Sequence, residues 1–140
     1  MTSTTTTART TGIHHAGLTV PDIEASAAFF EQALGFRRVG GNSAYPSLFL
    51  SDGTVLMSLW QAADPSHAVP FDRRKNIGLH HLALRVADPS ALDGLHDELA
   101  ARGDTTIEFA PELLGDGPTR HMMCLIPGGI RLELIAPVAR

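Results

Sequence analysis

Apolar residues in the first half of the chain follow two periods in turn. "IHHAGLTV" (13–20), a short run containing β-branched residues and closed by Pro21, predicts a strand. Asp22 is suited to cap a helix, and Ile23, Ala27, Phe30 and Leu34 recur at spacings of four, three and four, one apolar helical face that Gly35 terminates. "FRRVGG", "YPSLFL" and "TVLMSLW" then predict further strands, the last two joined through the turn pair Asp52-Gly53. The order is βαβββ.

The second half writes the same order again. "GIHHAGLTVPD" (12–22) returns as "GLHHLALRVAD" (78–88), sixty-six positions later. Asp88 and Pro89 open a helix with Leu92, Leu95 and Leu99 on one face and a stop at Gly103. The strands "TTIEFAP", "RHMMCLI" and "IRLELIA" follow, with Pro127-Gly128-Gly129 as the turn between the last two. Residues 61–76, rich in Pro, Asp and charge, read as an exposed crossover. The Thr-rich residues 1–11 have almost nothing to bury and are expected to be disordered. The expected organisation is one domain over 12–140, with module 1 at 12–60, a linker at 61–76 and module 2 at 77–136. A half of about 60 residues is marginal alone, so the modules are expected to cooperate.

Alternation along a strand divides the paired histidines. His14, Ala16, Leu18 and Val20 share one face, and His15, Gly17 and Thr19 the other; His80, Leu82, Leu84 and Val86 likewise lie opposite His81, Ala83 and Arg85. The aliphatic faces are expected to meet the helices, with His14 and His80 in structural hydrogen bonds. In the last strand Leu132 and Leu134 take the core side, and Arg131, Glu133 and Ile135 the other. A carboxylate flanked by such burial signals needs a partner or a metal. His15, His81 and Glu133 would form a 2-His-1-carboxylate set with open positions for substrate.

Composition narrows the function classes. The net charge of −4 offers no basic footprint for nucleic acid. No apolar stretch approaches the roughly 20 residues that span a bilayer, and Cys124, the single cysteine, cannot form an internal bridge. A cytoplasmic location is the expectation.

The motifs "HHAGLTVPDIEASAAFFEQALGF", "HHLALRV" and "PGGIRLELI" resemble the vicinal oxygen chelate superfamily, over essentially all of residues 12–136. Its members include glyoxalase I, methylmalonyl-CoA epimerase, extradiol dioxygenases, fosfomycin-resistance proteins and bleomycin-binding proteins. The resemblance implies an α+β fold in which two tandem βαβββ modules form an open, cup-like curled mixed sheet with helices outside. It implies a divalent ion (Fe, Mn, Ni, Zn or Co) that chelates two oxygens of a small organic substrate, and a homodimer. Its ligand positions fall on His15, His81 and Glu133.

A fourth family position, a carboxylate or amide in the isomerases, falls on Met57 when Gly53 is aligned with Gly129. The tyrosine that precedes the last ligand by ten residues in the iron dioxygenases and manganese transferases is replaced by Met123. Dioxygenase-like and glyoxalase- or lyase-like chemistry both stay open. The competing class is a metal-independent binder of the bleomycin-resistance type. His121, on the face of Met123, is the candidate acid or base. Tyr45, Met57, Arg85, Met123 and Arg131 are the candidate substrate contacts.

Overall fold

The computed structural model describes residues 5–137. Its elements run β1 (His15–Val20), α1 (Ile23–Leu34), β2 (Arg37–Asn42), β3 (Ser47–Ser51) and β4 (Leu56–Gln61), then a single 3-10 turn at Pro65–His67. β5 (Leu82–Arg85), α2 (Pro89–Ala100), β6 (Thr106–Leu113), β7 (Arg120–Ile126) and β8 (Ile130–Ala136) complete the chain. Two four-stranded sheets result, ordered β1-β4-β3-β2 and β5-β8-β7-β6. β1 is parallel to β4 and β5 to β8, while the other pairs are antiparallel. This is the expected fold: two copies of one βαβββ unit, each a curled mixed sheet with its helix on one face.

The helix signals act where the sequence places them. Asp22 Oδ1 accepts from the Ala25 amide at 3.1 Å, and Asp88 Oδ1 from the Ala91 amide at 2.8 Å. Each such cap contributes about 1 kcal/mol. Gly35 ends α1 in the left-handed region at φ 74°, whereas α2 stops earlier than Gly103, at an ordinary right-handed Ala101. Gln61 ties the end of β4 to the β1–α1 junction, accepting from the Ile23 amide at 2.9 Å and donating to the Pro21 carbonyl at 2.7 Å.

The core lies between each helix and its own sheet. Phe30, Leu50, Met57 and Leu59 fill module 1, and Leu92, Leu99, Met122, Leu132 and Leu134 fill module 2, all of them buried. The element pairs that pack extensively all lie within one module. The modules meet at narrower contacts: Arg102 stacks over the Phe29 ring at 5.8 Å, and a Cβ at Gly128 would stand 3.0 Å from Pro21 Cδ. β1 and β5 each form an outer edge of their sheet. Residues 5–11 are exposed and form neither helix nor strand; residues 1–4, the rest of the segment expected to be disordered, lie outside the described residues. No helix among the described residues is long and apolar enough to cross a membrane.

Candidate functional site

The uncovered face of module 2 carries the titratable groups. Register sets Glu133 between Ala83 of β5 and Met123 of β7, and sets His121 between Ile135 of β8 and Glu112 of β6. His121, only 8% exposed, lies with Nδ1 2.7 Å from Glu133 Oε2. The other carboxylate oxygen, Oε1, faces His81 Nε2 at 3.7 Å, too long for a hydrogen bond. His121 Nε2 points toward Glu112 Oε1 at 3.6 Å, and the Phe109 ring stands 5.0 Å from the imidazole. Met123 is buried beside this group, opposite Glu133. The Glu133 carboxyl group thus lies between two imidazoles.

His80 and His81 do not part as strict alternation predicts. β5 begins only at Leu82, so the pair sits before the strand with its Nδ1 atoms 2.8 Å apart. His80 is exposed rather than turned into the core. It is hydrogen-bonded, as expected, but on the cup side: Arg131 Nη1 lies 3.3 Å from its Nδ1. Loss of solvation, then the Arg131 charge, hold the His80 pKa below the usual imidazole value.

Arg131 is committed inside the protein. The residue is 7% exposed, and its guanidinium forks onto Glu108, with Nε to Oε1 at 3.1 Å and Nη2 to Oε2 at 2.7 Å. Arg73 of the crossover adds a third bond to Glu108 at 3.0 Å. These arginines, Arg131 first, hold the Glu108 carboxyl below the ordinary range. The fork of Arg131, an expected substrate contact, is thus filled by Glu108. Arg85 and Tyr45 remain exposed.

Module 1 presents a different surface. β1 pairs Gly17 with Ser58, as β5 pairs Ala83 with Glu133, so the counterpart of Glu133 is Ser58. The alignment through Gly53 and Gly129 is off by one residue. Gly53 opens a two-residue turn between the bonded Asp52 and Val55, whereas Gly129 closes the three-residue turn before Ile130. Met57 accordingly faces inward and is fully buried in the core, which corrects its place among the substrate contacts. Ser58 Oγ accepts from Trp60 Nε1 at 2.9 Å. Gly17 leaves room for both, since a Cβ there would lie 3.0 Å from Ser58 Oγ. Tyr45 and Phe49 flank Trp60, with ring centroids 4.9 and 6.1 Å away.

His15 is exposed, and its one polar contact among the described residues is His14, Nδ1 to Nδ1 at 3.0 Å. The structure thus gathers His81, His121 and Glu133 and leaves His15 apart from them. No three His, Cys, Asp or Glu side chains among the described residues are arranged as a ready cation site. An apolar cavity of about 450 Å³ lies between β1, the crossover and the β7–β8 turn, lined by Gly17, Thr19, Phe71, Leu79 and Ile130. None of the titratable groups above lines it.

Glu112, Glu108, Phe109, Ser58 and Trp60 were not expected at the site. Ser58 and Trp60 share a face of "LMSLW" and were readable from alternation once Met57 is assigned to the core. The others lie on β6, whose two register shifts change which side each residue faces.

The model of the Glyoxalase/Bleomycin resistance protein/Dioxygenase superfamily matches residues 12–134. The chain belongs to this superfamily. Among superfamily relatives, a 2-epi-5-epi-valiolone epimerase of an Actinomyces species is 28% identical over 145 aligned positions, covering 88% of this chain and 78% of that protein. A putative glyoxalase from Bacillus halodurans superposes with a TM-score of 0.73 at 28% identity, covering 89% of this chain and 95% of that one. A glyoxalase/bleomycin resistance protein/dioxygenase domain from Frankia matches the fold with a TM-score of 0.79 at 23% identity, over 92% and 99% of the two chains.

Proposed function

We infer that the chain is a divalent-metal-dependent isomerase or epimerase that handles a small organic substrate with two neighbouring oxygens. The observation that carries this reading is the 2.7 Å contact from His121 Nδ1 to a Glu133 carboxylate whose free oxygen faces His81. The donor chemistry fits a cation: an imidazole nitrogen and a carboxylate oxygen look at one another across a gap that no hydrogen bond spans. His81 and Glu133 would hold the ion, with His15 as the third protein donor. A divalent ion bound there supplies Lewis-acid polarisation of both substrate oxygens and acidifies the adjacent C–H.

The chain's own groups supply the proton transfer. The Glu133 carboxylate accepts the Nδ1 proton of His121, which leaves Nε2 as the basic nitrogen that takes a proton from carbon. Glu112, 3.6 Å away, favours the imidazolium that results. The half-buried Phe109 and the buried Met123 limit water around that nitrogen. On module 1, Tyr45, Phe49 and Trp60 offer flat, largely apolar contact to the body of the substrate.

His15 is supplied by a second copy of the chain. Extensive packing stays within each module, and β1 and β5 are outer edges, so a homodimer can set module 1 of one copy against module 2 of the other. The similarity to an epimerase favours proton transfer over oxygenation. The test is exchange: the metal-reconstituted protein is incubated in D2O with a panel of hydroxy ketones, cyclitol ketones included, and deuterium uptake next to the carbonyl is followed by NMR. Metal-dependent uptake is the expected result. Tight binding of a panel member without metal or exchange would instead identify a sequestering protein.

A further inference from the structure

The two histidine pairs look alike, yet only the second is touched by an arginine. A guanidinium carries N–H donors and no acceptor. With Arg131 Nη1 at 3.3 Å, His80 Nδ1 must therefore present its lone pair. The same nitrogen lies 2.8 Å from His81 Nδ1, and one of these two atoms must carry the proton between them. His80 Nδ1 has none to give, so His81 Nδ1–H is the donor. A neutral His81 then has no proton on Nε2, and this is the nitrogen that faces Glu133.

We propose that Arg131, held by its fork to Glu108, is a positioning residue: acting through His80, it fixes His81 as the Nδ1–H tautomer and turns the Nε2 lone pair toward Glu133. The relay is built rather than incidental. Arg131 is buried and gripped at both ends of its fork, Glu108 is held from the far side by Arg73, and the β6 register shifts that bracket Phe109 bring Glu108 to this point. Module 1 serves as an internal comparison. Leu56 occupies the position of Arg131, two residues before Ser58 as Arg131 is two residues before Glu133, so no arginine decides which nitrogen of His14 or His15 holds the shared proton.

The inference rests on the proposed metal role of His81 for its purpose, but its test does not. Full-length, metal-free protein with 15N-labelled histidine is examined by long-range 1H–15N correlation at about pH 8, above the ordinary imidazole range. The expected spectrum has His81 protonated at Nδ1 and bare at Nε2, and His80 the reverse. The Arg131→Gln change should turn His81 into a tautomer mixture. Because Arg131 is buried and its loss threatens the fold, the exposed His80 provides the second pair of variants. His80→Leu should also release the tautomer and weaken Zn2+ binding by about 10- to 100-fold. His80→Gln, whose side-chain carbonyl accepts as His80 Nδ1 does, should restore both.

A wild-type His81 protonated at Nε2, or a tautomer unchanged in His80→Leu, overturns the proposal even if Zn2+ binds well. The stated tautomer in a protein that binds no Zn2+ upholds the relay and instead defeats the metal reading.

Discussion

His121 and Glu133 are joined by a 2.7 Å contact between groups that are each nearly sealed from solvent, with side chains 11% and 12% exposed. One carboxylate oxygen is thereby assigned to the imidazole and the other is left for the His81 side. On the proposed reading the pair divides the labour of a site: one arm for a cation, one for a proton.

Removing the imidazole on the cation arm tests that division. His81→Ala should lower Zn2+ or Ni2+ affinity by more than the roughly 100-fold that loss of an outer-shell partner can cause. Competition against a chromophoric chelator measures it, and an unchanged affinity removes His81 from the site.

On the proton arm, His121→Ala should keep the metal and lose turnover. A positioned acid or base contributes about 10²- to 10⁴-fold, so deuterium uptake should fall by that factor at equal metal content. A loss of metal affinity beyond the roughly 100-fold expected for an outer-shell partner would make His121 a ligand instead.

The inward Met57 and its neighbour Ser58 should respond to different degrees. Met57→Ala empties a fully buried site and should cost about 2–5 kcal/mol in urea unfolding. Ser58→Ala loses the bond from Trp60, a change of about 1 kcal/mol. Equal costs would return Met57 to the cup face.

Glu108 links stability to pH. Its folded pKa lies below the unfolded one, so its contribution is complete above the ordinary carboxylate range and is lost as pH falls through the depressed value. Glu108→Gln should therefore destabilise the protein at neutral pH by about 1.5–3 kcal/mol, and the gap from wild type should close in acid, once pH falls below the depressed value. Urea titrations at the two pH values read it directly.

Shared cups predict complementation. His15→Ala and Glu133→Gln copies should each be inactive, while an equal mixture allowed to exchange subunits should recover about one quarter of wild-type activity, one intact cup in each mixed dimer. No recovery would mean that each chain closes its own cup.

Much of this was legible from local rules. The caps at Asp22 and Asp88 and the alternation that buries Leu132 and Leu134 around Glu133 depend only on neighbouring residues, and the structure follows them. Two kinds of information were not local. A turn with one more residue moved the counterpart of Glu133 from Met57 to Ser58, and strand β5, starting after the histidines, let His80 and His81 lie side by side. β6 was harder still. It runs through Pro111 to Leu113, beyond the end its sequence suggested, and its register shifts bring Glu108 and Glu112 to partners that alternation cannot name.

The exchange of Glu133 for Ser58, and of Arg131 for Leu56, has an evolutionary reading. The two repeated units are unlike on this face: the second carries Arg131, Glu133 and His121, the first Ser58 with the rings of Tyr45, Phe49 and Trp60. If the proposed function holds, substitutions at Tyr45, Phe49 or Trp60 change which molecule is accepted while His81, His121 and Glu133 stay in place, so such a lineage can acquire new substrates one ring at a time.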